Sequence, residues 1–106
     1  MVTNLDIGAT LLEVAGATKP TDLQGESLLP LMKGTQAGEW RKSIYYHYYE
    51  YPGWQMVPKQ YGVRTETHKL ICLYNIYGNR EYEMYDLVKD ADEVNNIYGK
   101  YEYIQI

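Results

Sequence analysis

The stretch from Lys42 to Glu50, Lys-Ser-Ile-Tyr-Tyr-His-Tyr-Tyr-Glu, constrains the fold more than any other part of this sequence. At the two-residue period of a strand it sets Ile44, Tyr46 and Tyr48 on one face and Tyr45, His47 and Tyr49 on the other. Neither face is purely apolar and neither is charged. The chain holds 13 tyrosines and two tryptophans but no phenylalanine. Tyrosine favours pleated, half-buried surfaces, and its hydroxyl belongs where one end of the ring stays wet. The expected structure is an aromatic sheet with one wet face. The expected role of that face is to meet a sugar or a protein partner.

The remaining pattern extends the sheet. Tyr61 to Arg64 and Lys69 to Tyr74 read as one strand or a strand pair, with Thr65–His68 as a turn or bulge. Gly78-Asn79 is a hairpin signal, and Glu81 to Leu87 alternates again. Lys89 to Asn96 is polar and turn-like, and Tyr98 to Ile106 reads as a short helix or frayed tail. Ahead of the sheet, residues 3–15 read as a helix, with Thr3 as N-cap and Asp6 in the first turn, where negative charge is favoured. Ile7, Leu11, Val14 and Ala15 recur at helical spacing, widened by Leu5 and Leu12, and Gly16 is a natural C′ residue. Gly8 costs this helix up to ~1 kcal/mol relative to alanine, so it relies on packing. Residues 17–41 read as a connector punctuated by Pro20, Gly25, Pro30, Gly34 and Gly38, with one helical turn at Ser27–Met32. The fold class is α+β: an N-terminal helix and connector, then a small antiparallel sheet of three to four strands with a short C-terminal helix or tail.

Several function classes drop out. At 106 residues the chain is one domain's worth. Ten Lys and Arg against fourteen Asp and Glu give a net charge of −4, which argues against nucleic acid as a partner. One cysteine excludes an internal disulfide, and with only two histidines a closed Cys/His zinc site is excluded too. No apolar run reaches the roughly 18 residues of a membrane span, and no signal peptide is visible.

Single residues carry little chemistry. Cys72, inside Leu70-Ile71-Cys72-Leu73, reads as a small buried hydrophobe. His47 reads more readily as a hydrogen-bonded structural histidine than as a base or ligand, and His68 as solvated. Asp90-Ala91-Asp92-Glu93 lacks the glycine and spaced glutamate of a calcium loop and reads as a solvated turn. Glu81 and Glu83 read as an exposed strand face. Arg64 and Lys69 have two readings, an anion site or ion pairs to the chain's own acids. Tyr45–Tyr51 with Trp54 also has two, a stacking surface for sugar rings or a packed aromatic face. No catalytic constellation is complete.

Four ordered segments resemble the type I, formylglycine-dependent sulfatases, the arylsulfatase and carbohydrate-sulfatase family. Asn4-Leu5-Asp6-Ile7 with Thr10-Leu11-Leu12-Glu13-Val14-Ala15-Gly16 resembles "v-D-i-a-P-T-l-l-e-l-a-G". Residues 24–34, Gln-Gly-Glu-Ser-Leu-Leu-Pro-Leu-Met-Lys-Gly, are similar to "q-G-x-S-L-l-P-L-l-x-G". Gly62-Val63-Arg64-Thr65 with His68-Lys69-Leu70-Ile71 is similar to "g-v-R-T-x-x-y-K-l-I". Glu83-Met84-Tyr85-Asp86-Leu87 with Asp90, Glu93 and Asn96 resembles "E-L-Y-D-L-x-x-D-P-x-E-x-x-N". Gly8-Ala9 stands for the usual Ala-Pro, and Ala91 for the proline after Asp90.

The resemblance covers residues 4–97 and matches only the C-terminal end of such enzymes. It implies that residues 1–41 are the last helix and crossing connector of the catalytic domain, and that 42–106 are the C-terminal subdomain. The Cys-x-Pro/Ala-x-Arg signature is absent, since Cys72 is followed by Leu73-Tyr74-Asn75-Ile76. The formylglycine and calcium of a full-length sulfatase are therefore not expected in this chain, and neither is catalysis by the chain alone. The implied partners are the missing N-terminal domain, a sulfated glycan, and further copies of the chain through exposed apolar surface. The implied substrate-facing residues are Trp54, Gln60, Tyr61, Arg64 and His47, around the loop Tyr51–Tyr61. Relatives acting on sulfated carbohydrates often carry a histidine where this chain has Gln60. The alternative is a stand-alone glycan-binding or interaction module. Relatives are periplasmic, lysosomal or extracellular, which leaves the compartment open.

Overall fold

The computed structural model describes every residue except 37 and 55. One lies in the expected connector and one in the expected loop 51–61, so those two positions are outside the described residues. The chain forms two compact units, Met1–Arg41 and Lys42–Ile106.

The first unit holds α1 (Leu5–Val14) and the single turn α2 (Leu29–Met32). Both end in the same way. After α1, Gly16 at φ 66° returns its N–H to Glu13, and Ala17 to Leu12. After α2, Gly34 at φ 66° returns to Leu31, and Thr35 to Pro30. These paired bonds satisfy the last carbonyls of each helix and need a residue that tolerates left-handed backbone.

The start of α1 departs from expectation. Asn4, not Thr3, is the N-cap, and no side chain caps it. Asp6 does the fastening instead. It is 0% exposed and accepts the N–H of Thr3 at 2.7 Å and that of Glu26 at 2.9 Å. The Arg41 guanidinium grips both its oxygens at 2.7 Å. Burial opposes ionisation of this carboxyl. The Arg41 fork and the two N–H donors outweigh it and hold Asp6 well below the usual carboxylate range.

Thr10 adds a second tie, donating to the Asp6 carbonyl and accepting the N–H of Leu28. Gly25 lies so close to α1 that a Cβ there would sit 2.0 Å from the Leu5 carbonyl oxygen. The connector is thus a fitted strap. The apolar stripe of α1 points elsewhere: Leu5, Ile7, Leu11 and Val14 are all exposed, Leu11 by 63%.

The second unit is a four-stranded antiparallel meander in the order β1 (Ser43–Tyr48), β2 (Lys59–Thr65), β3 (His68–Tyr74) and β4 (Arg80–Asp86). The expected turn at 65–68 tightens to residues 66–67, where the Thr65 hydroxyl accepts the N–H groups of Thr67 and His68. Asn75 and Gly78, at φ 83°, make the last hairpin. The tail contributes one 3₁₀ turn, Tyr101–Tyr103. Ile71, Cys72, Tyr85 and Ile97 are buried.

Tyr46 lies across Gly62, where a Cβ would stand 2.7 Å from its hydroxyl and 2.5 Å from the Leu70 carbonyl. Its hydroxyl is buried without a partner among the described residues. That burial, with the nearby carboxylates of Glu93 and Glu83, pushes the phenol up.

Three expectations of solvent exposure are corrected. The segment after β4 is not a solvated turn. Asp86 accepts the N–H groups of Val88 and Lys89. Burial raises the Asp86 carboxyl, but those donors and the Lys89 ammonium hold it below its ordinary value. Asp90 accepts the N–H of Asn95, and Asn96 that of Met84, while Ile97 donates to the Met84 carbonyl. Glu83 is not simply exposed, since it takes the Tyr85 hydroxyl at 3.0 Å. His68 is half-buried rather than solvated: Nδ1 lies 2.9 Å from the Thr67 hydroxyl and Nε2 is enclosed without a partner among the described residues.

Candidate functional site

Register decides which side chains share a surface, because residues paired across antiparallel strands lie on one face of the sheet. His47 pairs with Tyr61, Tyr61 with Cys72, and Cys72 with Tyr82. The neighbouring rows on that face are Tyr45, Val63, Leu70 and Met84 on one side, and Lys59, Tyr74 and Arg80 on the other. Gln60 and Arg64 alternate with Tyr61 and Val63, so they belong to the opposite face.

His47 sits at the centre of an aromatic cluster. Its ring stacks on Tyr49 at 3.8 Å and meets the edges of Tyr61 at 5.5 Å and Tyr74 at 5.7 Å. Its two nitrogens face tyrosine hydroxyls, Nε2 at 2.8 Å from Tyr74 and Nδ1 at 3.3 Å from Tyr45. A neutral imidazole has one donor and one acceptor, so one hydroxyl donates to it and the other accepts. His47 is thus hydrogen-bonded on both sides.

Beside it lies a groove of about 150 Å³ lined by Tyr45, Tyr61, Val63, Leu70, Cys72 and Tyr82. Tyr82 is backed by Tyr98, stacked at 5.1 Å. The loop joining β1 and β2 leaves the sheet at Tyr49 and carries Trp54, which is 100% exposed. Exposing so large an aromatic surface to water is unfavourable unless something covers it.

The sequence-nominated residues therefore divide. His47 and Tyr61 share the aromatic face, and Trp54 stands on the adjoining loop. Gln60 is at the same end of β2 but on the other face. Arg64 is on that other face too, four residues beyond Gln60, a run of ~13 Å along the strand. It pairs with Glu93 at 3.7 Å, and Lys69 reaches the same carboxylate at 2.5 Å. Of the two readings of Arg64 and Lys69, the structure shows the ion pairs.

Sequence reasoning missed Tyr74, Tyr82 and Arg80. The signal was available in the hairpin at Gly78-Asn79, since its position sets the register that brings Arg80 and Tyr82 into line with Tyr74 and Cys72.

The family model described as N-sulphoglucosamine sulphohydrolase, C-terminal, matches residues 1–106. An N-acetylglucosamine-6-O-sulfatase of Bacteroides thetaiotaomicron is 48% identical over 102 residues, which are 94% of this chain and 18% of that protein. Human arylsulfatase K is 32% identical over 104 residues, 95% of this chain and 19% of that protein. A solved structure of a protein in complex with its substrate D-glucosamine-2-N,6-O-disulfate superposes with a TM-score of 0.84 at 46% identity, over 94% of this chain and 20% of the other. A 2-O glycosaminoglycan sulfatase gives 0.73 at 26% identity, over 94% of this chain and 21% of the other. The chain thus spans less than a quarter of the length of these relatives. With the family model matched end to end and the sheet superposing on solved relatives, the chain belongs to the N-sulphoglucosamine sulphohydrolase C-terminal family and is a C-terminal sulfatase domain.

Proposed function

We propose that this domain lines the substrate cleft of a sulfatase acting on sulfated carbohydrates, and that the sulfate-cleaving centre lies outside these 106 residues. The observation that carries the reading is the aromatic face of the sheet, a half-open groove of tyrosines with a fully exposed Trp54 on the adjoining loop. Aromatic surfaces of this kind suit the apolar face of a sugar ring, with polar groups at the rim setting its orientation. Two relatives add weight, one named for N-acetylglucosamine-6-sulfate and one bound to a disulfated glucosamine.

The residues present do not fit a sulfatase's own catalytic groups. Cys72 is buried in β3 and is followed by Leu73-Tyr74-Asn75-Ile76, without the proline or alanine and arginine of the signature. Among the described residues no three His, Cys, Asp or Glu side chains are grouped to hold a metal ion. Of the carboxylates that are not exposed, Asp6 is committed to Arg41, Glu93 to Lys69 and Arg64, Glu83 to the Tyr85 hydroxyl, and Asp86 and Asp90 to backbone N–H groups. Formylglycine and calcium then belong to the remaining length of the relatives. The test is direct. The purified chain is incubated with an aryl sulfate and with glucosamine-6-sulfate, and free sulfate is measured. No release above a buffer blank is expected. Release that scales with protein concentration and disappears in Cys72→Ser overturns the reading.

A further inference from the structure

We infer that Arg80, not Arg64, is the residue through which this domain recognises the sulfate of a sugar held on its aromatic face. The inference rests on the carbohydrate-facing reading above and names the charged group of that site.

The first argument is position. Arg80 pairs with Tyr74 across β3 and β4, and Tyr74 pairs with Lys59. All three belong to the face that carries His47, Tyr61 and Tyr82, one row toward the Trp54 loop. Arg80 and Tyr82 stand two residues apart on β4 and so share a face, and Tyr61 lies in the same row of that face as Tyr82. Those same two tyrosines line the groove. Arg80 therefore stands at the rim of an aromatic trough whose floor is Cys72.

The second argument is availability. Among the described residues Arg80 makes no ion pair with a carboxylate, and it is exposed. The other arginines are engaged, Arg41 by Asp6 and Arg64 by Glu93. Arg64 also stands four residues beyond Gln60 on the opposite face. The loop itself supplies no cation: from Tyr49 to Pro58 its one charged residue is Glu50.

The third argument is complementarity. An apolar trough with one guanidinium at its rim fits a molecule with a flat apolar face and an anionic substituent at its edge. A sulfated pyranose is such a molecule. The guanidinium fork matches two oxygens of a sulfate as it matches a carboxylate, while the ring covers tyrosine.

The test uses the intact chain and a pair of probes, a 6-O-sulfated glucosamine disaccharide and its desulfated counterpart. Binding is followed by ¹H–¹⁵N shifts. The sulfated sugar is expected to bind about tenfold tighter, with affinity falling as salt rises from about 50 to about 200 mM. Arg80→Gln should erase the preference and the salt dependence while leaving the affinity for the desulfated sugar within about twofold. Arg64→Gln should change neither. Equal affinities for the two sugars, or a preference that survives Arg80→Gln, overturns the assignment of Arg80 and leaves the carbohydrate-facing reading standing. No saturable shift with either sugar up to about 20 mM overturns both. Arg80 is exposed at a strand end, so its replacement should not disturb folding. An unchanged amide spectrum outside the groove checks that.

Discussion

Replacing Arg41 by methionine tests whether the bidentate grip on Asp6 holds the first unit together. The carboxylate is fully buried and takes two guanidinium bonds of 2.7 Å each. Removing one partner of a buried pair leaves an uncompensated charge and costs about 3–5 kcal/mol. Arg41 is itself 22% exposed, so the lower end applies, about 3 kcal/mol. That corresponds to a loss of protection of roughly a hundredfold. Hydrogen exchange measured on peptides covering residues 1–14 reads this locally, whatever the sheet does.

The pH dependence separates the electrostatic account from lost packing. In the wild type the Asp6 carboxyl is held below its ordinary value, so its contribution is complete above the unfolded value of ~4 and is lost as pH falls below it. In Arg41→Met the native value rises, because burial remains and the guanidinium is gone. The variant's carboxyl then protonates earlier, and the cost of the buried charge fades in acid. The gap between wild type and variant should therefore narrow from pH 7 toward pH 3. Asp6→Asn combined with Arg41→Met should recover at least half of the loss, since no charge is left stranded. A gap under about tenfold at pH 7, or one that is constant down to pH 3, refutes the reasoning.

Three further outcomes are expected. Gly62→Ala places a Cβ 2.5 Å from the Leu70 carbonyl and 2.7 Å from the Tyr46 hydroxyl, and should cost about 1–3 kcal/mol in urea unfolding of the sheet; an unchanged midpoint contradicts the packing described. Glu93→Gln releases Lys69 and Arg64 from a shared carboxylate and should lower the same midpoint by about 1–3 kcal/mol, with a double variant Glu93→Gln, Lys69→Met costing less than the sum of the two single changes. The exposed Leu5, Ile7, Leu11 and Val14 of α1 should drive self-association of the isolated chain. Light scattering should show a mass that grows with concentration and returns to the monomer in Ile7→Lys, Leu11→Lys.

The sheet was legible because its evidence is local. Alternation located the first and last strands, residues 61–74 read as one strand or a pair, and Gly78-Asn79 located the last hairpin. Gly16 announced the end of α1 by the same logic, whereas Gly34 read only as punctuation of the connector. The misreadings concern polar residues whose partners lie far away in sequence. Asp6 reads as a first-turn acid because the grip of Arg41, 35 positions on, leaves no local trace. His68 and Glu93 read as solvated because neither Tyr103 nor Lys69 is adjacent to them in the chain. Arg64 kept two readings, anion site or ion pair, for the same reason: a cation beside a strand end is ambiguous until the carboxylate facing it is known. Arg80 escaped notice because its role depends on register, which joins it to tyrosines on other strands.

The residues that make the family recognisable are largely the ones that fasten the fold. Asp6 closes the first unit onto Arg41. Gly62 admits Tyr46. Lys69 and Arg64 meet on Glu93, Asp90 closes the segment after β4 on itself, and Glu93 and Asn96 bind that segment back onto the sheet. Asp6, Gly62, Arg64, Lys69, Asp90, Glu93 and Asn96 each lie inside one of the four resembling segments, while Arg41 and Tyr46 lie between them. The groove is built mostly from positions outside them, Tyr45, Tyr61 and Tyr82, with Arg80 at its rim and Trp54 on the loop. The division has a physical basis. A fastening residue must satisfy a buried partner of fixed geometry, so few residue types serve. A residue on the open aromatic face must satisfy only what binds there. A sequence can therefore announce the sulfatase domain through its fastenings, while the face we propose for a sugar is built from tyrosines, the loop and one arginine between them.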